Sequence, residues 1–247
     1  MNRFRTTATL ILFFMCASAA LSAPEPTTRP APSPRTEFSA VTPVASNRGP
    51  VRHEQFLYRI KQGDIGLLFI GDSITDFWPR TGEYSWLKFA PYHPANFGIS
   101  GERTEHVLWR MANGELDGIH PKLVVLMIGT NNIGQRPADK AGWAAAGVAK
   151  IVETIHEKLP DSKVLLLGIF PRDDKNSEPR AEVVKINAII AKLDDGGKTR
   201  YLDISEVFLD GNGEIPKDVM ADKLHPTAKG YDLWFEAIQA TVNEMMK

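Results

Sequence analysis

A serine hydroxyl, an imidazole to take its proton and a carboxylate to orient that imidazole suffice for acyl transfer when a fold brings them together. This chain of 247 residues offers such a set in Ser73, His225 and Asp222, the last two spaced DxxH so that a carboxylate and a ring on one loop can meet. Ser73 would attack. His225 would be the base, since an imidazole with an unperturbed pKa of about 6.5 suits proton transfer near neutrality. Asp222 would accept from the second ring nitrogen. The oxyanion needs donors already in place. The backbone amides of Ser73 and Gly98 and the side-chain amide of Asn131 would supply them, Gly98 because a residue without Cβ lets its backbone come close to a substrate.

Taken singly, each residue has a structural reading. Gly71-Asp72-Ser73 is an ordinary loop with a helix cap, Asn131 and Asn132 suit a turn, and His225 before Pro226 is an extended loop position. The completeness of the set is what argues for chemistry.

Positioning such groups requires elements that end in one place. The runs "GLLFIG", "ANFG", "KLVVLMIG", "KVLLLGIF" and "RYLDI" are short and almost continuously apolar, as strands buried on both faces are. Helix-spaced stretches separate them: "HEQFLYRIKQG", residues 104–112, 139–158 and 179–194, and a last helix from Thr227. Strands alternating with crossover helices predict an α/β domain with a parallel sheet covered on both sides. Ligands of such sheets bind at the carboxyl ends of the strands. Four of the five runs end there in Gly71-Asp72-Ser73, Gly98-Ile99-Ser100-Gly101, Gly129-Thr130-Asn131-Asn132 and Pro171-Arg172-Asp173-Asp174.

"GDSITD", "NFGISGERT", "GTNN" and "DKLHPT", in this order, resemble the sequence blocks of the SGNH/GDSL hydrolases. The stretch from Asn96 to Asn132 is particularly similar to the catalytic subunits of intracellular platelet-activating-factor acetylhydrolase. The resemblance covers the chain from about His53 onward. It implies a flavodoxin-like, three-layer α/β/α sandwich with a five-stranded parallel sheet, and an acetyl-sized acyl pocket. It implies that Ser73, Gly98, Asn131 and His225 are the four block residues, with Asp222 completing the triad, and it makes a homodimer the oligomer to expect. Many superfamily members have Asp after the block-three Asn where this chain has Asn132, and this chain has His225-Pro226-Thr227 where the acetylhydrolase subunits are expected to have "HLT".

Composition and spacing exclude other classes. The six histidines are scattered, with no paired spacing for a metal, and "DGNGEI" at 210–215 departs from a calcium loop at Ile215 and Ala221, so it reads as a turn. No strand is followed by GxGxxG or a Walker pattern, and the serine is not in GxSxG. No metal or cofactor is called for. The alternative from another class is a binding protein that kept the fold and lost catalysis.

The N-terminus "MNRFRTTATLILFFMCASAALSAPEP" has basic residues, an apolar run from Ala8 to Met15 too short to span a bilayer, and small residues through Ala23. Residues 1–22 therefore read as a signal peptide and predict a secreted or periplasmic protein; uncleaved, the same segment would tether it. The only cysteine, Cys16, lies inside that segment, so the mature chain has no thiol chemistry. It carries 27 basic against 30 acidic residues without a basic run, which gives no reason to expect nucleic acid. Residues 24–50 hold seven of the 17 prolines and few large apolar side chains. They predict an unstructured linker over 23–50, ahead of one catalytic domain over 51–247, with no stable membrane insertion.

Export together with the acetyl-type resemblance predicts removal of O-acetyl groups from carbohydrates, with a short-chain lipid or lysophospholipid ester, or a thioester, as the alternative substrate. Trp78, Tyr84, Trp86, Tyr92 and His93 are either a sugar-stacking rim or core, core being the commoner use of aromatics. Arg103 and Arg172 follow strand ends and are either substrate contacts or solvated loop charges.

Overall fold

The five apolar runs become five parallel strands in a computed structural model that describes residues 34–247. The signal-peptide expectation and the start of the linker lie outside the described residues. In chain order the first half contains α1 (Pro50–Lys61), β1 (Leu67–Gly71), α2 (Ser73–Asp76), α3 (Trp78–Thr81), α4 (Glu83–Leu87), β2 (Pro94–Gly98) and α5 (Thr104–Ala112). The second half contains β3 (Leu123–Met127), α6 (Thr130–Gly134), α7 (Ala141–Lys158), β4 (Lys163–Leu167), α8 (Glu178–Ile190), β5 (Thr199–Leu202) and α9 (Ala228–Met245).

The strand order is β2-β1-β3-β4-β5, with every pairing parallel. The chain goes outward from β1 to β2 and then returns to build the other side from β3. That reversal puts the topological switch point between the carboxyl ends of β1 and β3, where open parallel sheets bind ligands.

Alternation along the strands divides the core into two layers. Leu68, Ile70, Val124, Leu126, Val164 and Leu166 face α1, α5, α7 and α8. Leu67, Phe69, Leu123, Val125, Leu165 and Leu167 face α9 and α3. In the second layer Trp78 and Trp234 pack as a tilted pair at 4.0 Å between ring centroids, an aromatic contact that adds about 1 kcal/mol beyond the area it buries. The last helix begins where Thr227 caps it, its hydroxyl accepting from the Gly230 amide. Losing such a cap costs about 1 kcal/mol.

One expectation needs correction. The linker does not run to residue 50 as unstructured chain: residues 34–49 lie against the domain. Arg35 pairs with Asp139 and Glu105, Ala40 is fully buried, and its carbonyl accepts from Thr104. Proline content and low hydrophobicity miss this because ion pairs and backbone hydrogen bonds, rather than apolar area, hold the segment. Of the two readings of the aromatics between β1 and β2, Trp78 and Trp86 follow the core one. Trp78 is fully buried core; Trp86 packs on Phe69. Tyr92 and His93 precede β2, at the amino ends of the strands, where His93 meets Asp64. Tyr84 and His93 are exposed. Among the described residues, no helix is long and apolar enough to cross a membrane.

Candidate active site

Ser73 sits two residues beyond β1, at the start of α2. The Asp72 carboxylate accepts from the Ile74 amide at 3.0 Å and so turns the chain directly from strand into helix. Asp76 and Phe77 close that helix by donating to the Asp72 and Ser73 carbonyls at 2.8 and 3.0 Å. Ser73 is only 7% exposed. Asp72 is fully buried, one of its oxygens has no hydrogen-bond partner, and burial pushes its carboxyl up to about 7 against the pull of the Ile74 amide. It is a structural cap, as the sequence reading of the turn allows.

His225 arrives from the loop before α9, and its Nε2 lies 2.9 Å from Ser73 Oγ. Its Nδ1 is 2.6 Å from Asp222 Oδ2. A carboxylate can only accept, so the network assigns the proton to Nδ1 and leaves Nε2 to accept from the serine hydroxyl. The other Asp222 oxygen accepts from the amides of Leu224 and His225 at 3.0 and 2.8 Å, which winds the loop around the carboxylate. Burial raises the Asp222 carboxyl, but the hydrogen bonds from the His225 ring and amide outweigh it and hold the group below the usual carboxylate value. Phe77, one helical turn after Ser73, lies 5.3 Å from the imidazole between ring centroids. The one sequence signal for Phe77 is its spacing by four from Ser73, which puts both on one face.

Asn131 lies in α6, directly after β3. Its Nδ2 donates to the Glu102 carbonyl at 2.9 Å, leaving the second amide hydrogen, and its Oδ1 accepts from Gln135 Nε2 at 3.0 Å. Behind Glu102, the buried Arg110 pairs with Glu102 at 2.8 Å and with Glu115. Burial raises both carboxyls against the pull of Arg110, Glu115 to about 7. Asn132 makes a different set of bonds. Its Oδ1 accepts from the Thr104 amide at 3.1 Å, and its Nδ2 donates to Thr104 Oγ1 and Asp139 Oδ2 at 2.9 and 2.8 Å. That network accounts for an amide here in place of a carboxylate, which could not donate to Asp139.

Gly98 is not where the sequence expectation put it. Its amide donates to Asn96 Oδ1 at 3.0 Å. A Cβ there would run into the Asp76 amide and the Asp72 carbonyl. Gly98 is glycine so that α2 can lie on the end of β2, and its N–H is spent within the strand. Three residues on, Gly101 has φ +78, in the left-handed region that favours glycine. The Gln135 Nε2 that bonds Asn131 also donates to the Gly101 carbonyl, at 2.9 Å. Among the described residues, no acceptor takes the N–H of Gly101 or of Ser73. The choice between the two glycines depends on which amide is left unpaired, and sequence spacing does not carry that.

The two arginines fit neither reading. Arg103 is buried and donates to the carbonyls of Gln135 and Pro137, each at 3.0 Å. Arg172 is buried and donates to Thr130. Both tie loops at the strand ends together. The "DGNGEI" stretch is a turn, with Asp210 accepting from the Asn212 and Glu214 amides.

The family model described as the GDSL-like Lipase/Acylhydrolase family matches residues 69–233. Among curated proteins, the platelet-activating factor acetylhydrolase IB subunit alpha2 of Rattus norvegicus is 36% identical over 181 residues, 73% of this chain and 77% of the relative. Among solved structures, a GDSL-like lipase from Bacteroides thetaiotaomicron superposes with a TM-score of 0.67 at 20% identity, covering 78% of this chain and 97% of the other. An acetylxylan esterase from Geobacillus stearothermophilus does so with a TM-score of 0.58 at 18% identity, covering 72% and 96%. These two structures share the fold.

Proposed function

The chain belongs to the GDSL-like lipase/acylhydrolase family and is a hydrolase of carboxylic ester bonds, and from that premise we propose that it is an exported serine esterase that removes short acyl groups, acetyl above all, from carbohydrates. The observation that carries the mechanism is the hydrogen-bonded line from Ser73 Oγ through the His225 ring to Asp222.

In this reading Ser73 Oγ attacks the ester carbonyl while its proton passes to His225 Nε2, and Asp222 stabilises the imidazolium through Nδ1. The carbonyl π pair moves onto oxygen. The free hydrogen of Asn131 Nδ2 and the amides of Ser73 and Gly101 receive that charge, Gly101 taking the part expected of Gly98. The imidazolium returns its proton to the departing alcohol, leaving acyl-Ser73. A water activated by His225 then releases the acid.

Acetyl is the group in the names of both the rat acetylhydrolase and the Geobacillus acetylxylan esterase. The carbohydrate half of the proposal rests on the signal-like N-terminus, which would take the enzyme to where such polymers are. The identity to an acetylhydrolase of platelet-activating factor supports a second reading, a short-chain phospholipid ester.

An acyl-release panel separates these readings: acetylated xylan, pectin and O-acetyl sialic acid against acetyl and longer-chain phospholipid esters, with Ser73→Ala as control. The proposal expects the highest kcat/KM on an acetylated carbohydrate and none in the control. Preference for the acetyl phospholipid would transfer the assignment to the second reading.

A further inference from the structure

Residues 34–49 follow the loop after β2 and touch it repeatedly. The Ala40 carbonyl accepts from Thr104 Oγ1 at 2.9 Å, the Val44 amide donates to the Glu105 carbonyl at 3.1 Å, and the Arg48 side chain lies over Gly101. Arg35 reaches deepest. Its Nε and Nη2 donate to the two oxygens of Asp139 at 2.6 and 2.7 Å. Its Nη1 lies 2.7 Å from Glu105 Oε1.

These two carboxylate side chains are 0% and 2% exposed. They converge on one group, the Asn132 amide, whose Nδ2 donates to Asp139 at 2.8 Å and to Glu105 at 3.3 Å. The Asp139 amide closes the loop by donating to the Asn132 carbonyl at 2.7 Å. Among the described residues, Arg35 is the only cation within 4 Å of either carboxylate. Asn132 is joined by one peptide bond to Asn131. A segment that sequence composition marks as linker therefore supplies the counter-charge behind the oxyanion side of the site.

We propose that Arg35 is a positioning residue for ester hydrolysis: it neutralises Asp139 and Glu105, which fixes Asn132 and through it the aim of the Asn131 amide. The inference rests on the reading of Asn131 as an oxyanion donor. Buried carboxylates without a counter-ion must take up protons, draw in water or move apart, and each response loosens the bonds that hold Asn132. The Arg fork on Asp139 is bidentate, a geometry that an ammonium does not reproduce. Arg35 touches no reacting atom, so its effect falls on the transition state and not on substrate binding.

The test uses the full chain with an activated acetyl ester and compares Arg35→Met, Arg35→Lys and Asn131→Ala. Misplacing a donor by about 1 Å costs up to about 100-fold. The expected result for Arg35→Met is therefore a kcat lowered about tenfold to a hundredfold with KM within about twofold. Arg35→Lys should recover part of the loss, and added methylguanidinium should raise kcat in Arg35→Met but not in Asn131→Ala. A wild-type kcat in Arg35→Met, or a change in KM alone, overturns the proposal. If Arg35→Met does not fold, Arg35→Lys decides: a kcat deficit supports the role, and wild-type kcat removes it. Wild-type activity in Asn131→Ala would instead strike the oxyanion reading itself, so the two failures are told apart.

Discussion

The two sides of Ser73 are held in opposite ways. On the Asn131 side the groups are buried and anchored to distant parts of the chain. Asn131 is 8% exposed and bonded to Glu102 and Gln135, and behind it stand Arg110 with its two glutamates and Arg35 with Asp139 and Glu105. On the His225 side the groups are partly exposed and bonded to near neighbours. The His225 and Asp222 side chains are 28% and 56% exposed, and Asp222 bonds only to residues two and three positions away. The difference follows the tasks proposed for each side. Stabilising a developing charge needs dipoles fixed before the reaction, whereas an imidazole that takes a proton from one oxygen and gives it to another needs some freedom.

Substitution tests this contrast. The largest loss is expected where both sides meet. Ser73→Ala and His225→Ala should each lower turnover of an activated acetyl ester by about 10,000-fold or more; retention of more than a few per cent of wild-type activity in either would break the triad. Next comes Asn131→Ala, expected to cost about 100 to 1,000-fold in kcat, the usual price of one oxyanion donor. Asp222→Ala should cost less, about tenfold to a hundredfold, because water can reach the exposed ring edge and replace part of the lost bond. A larger loss at Asp222 than at Asn131 would reverse the comparison.

The smallest effect concerns stability rather than rate, and it belongs to the buried side. Burial raises Asp72 from an ordinary 3.8 to about 7. The folded state therefore keeps a proton that the unfolded chain releases, and this contribution to stability is lost as pH rises from about 4 through 7. Asp72→Asn removes that dependence. Its melting temperature, measured relative to the wild type between pH 4 and 8, should climb as pH increases. A constant offset would show that Asp72 does not titrate there.

Much of this architecture is legible in the sequence, and the illegible parts share a cause. Strands buried on both faces leave nearly unbroken apolar runs, so all five can be read, as can the long helices, which carry a full period. The four-residue α2 and α3 have no room for a period; α2 shows only through its cap, and α3 leaves no signal. Ser73, Asn131, Asp222 and His225 are recognisable because their residue types and order point to one chemistry. Gly101 and Arg35 are not. One is distinguished from Gly98 by the fate of an N–H group, and the other acts through carboxylates 70 and 104 positions away. Both depend on what else the fold has already satisfied.

The hydroxyl of Tyr231, in α9, donates to the Ile74 carbonyl at 2.7 Å, and Trp234 packs against Trp78 nearby. The last helix thus completes the setting of a serine that lies 152 residues before its base. At a synthesis rate of roughly 5–20 residues per second, about eight to thirty seconds separate the two. In the proposed mechanism a growing chain carries the nucleophile and its donors before it has the base. Under the proposed mechanism, ester hydrolysis waits for the C-terminal loop and helix to emerge.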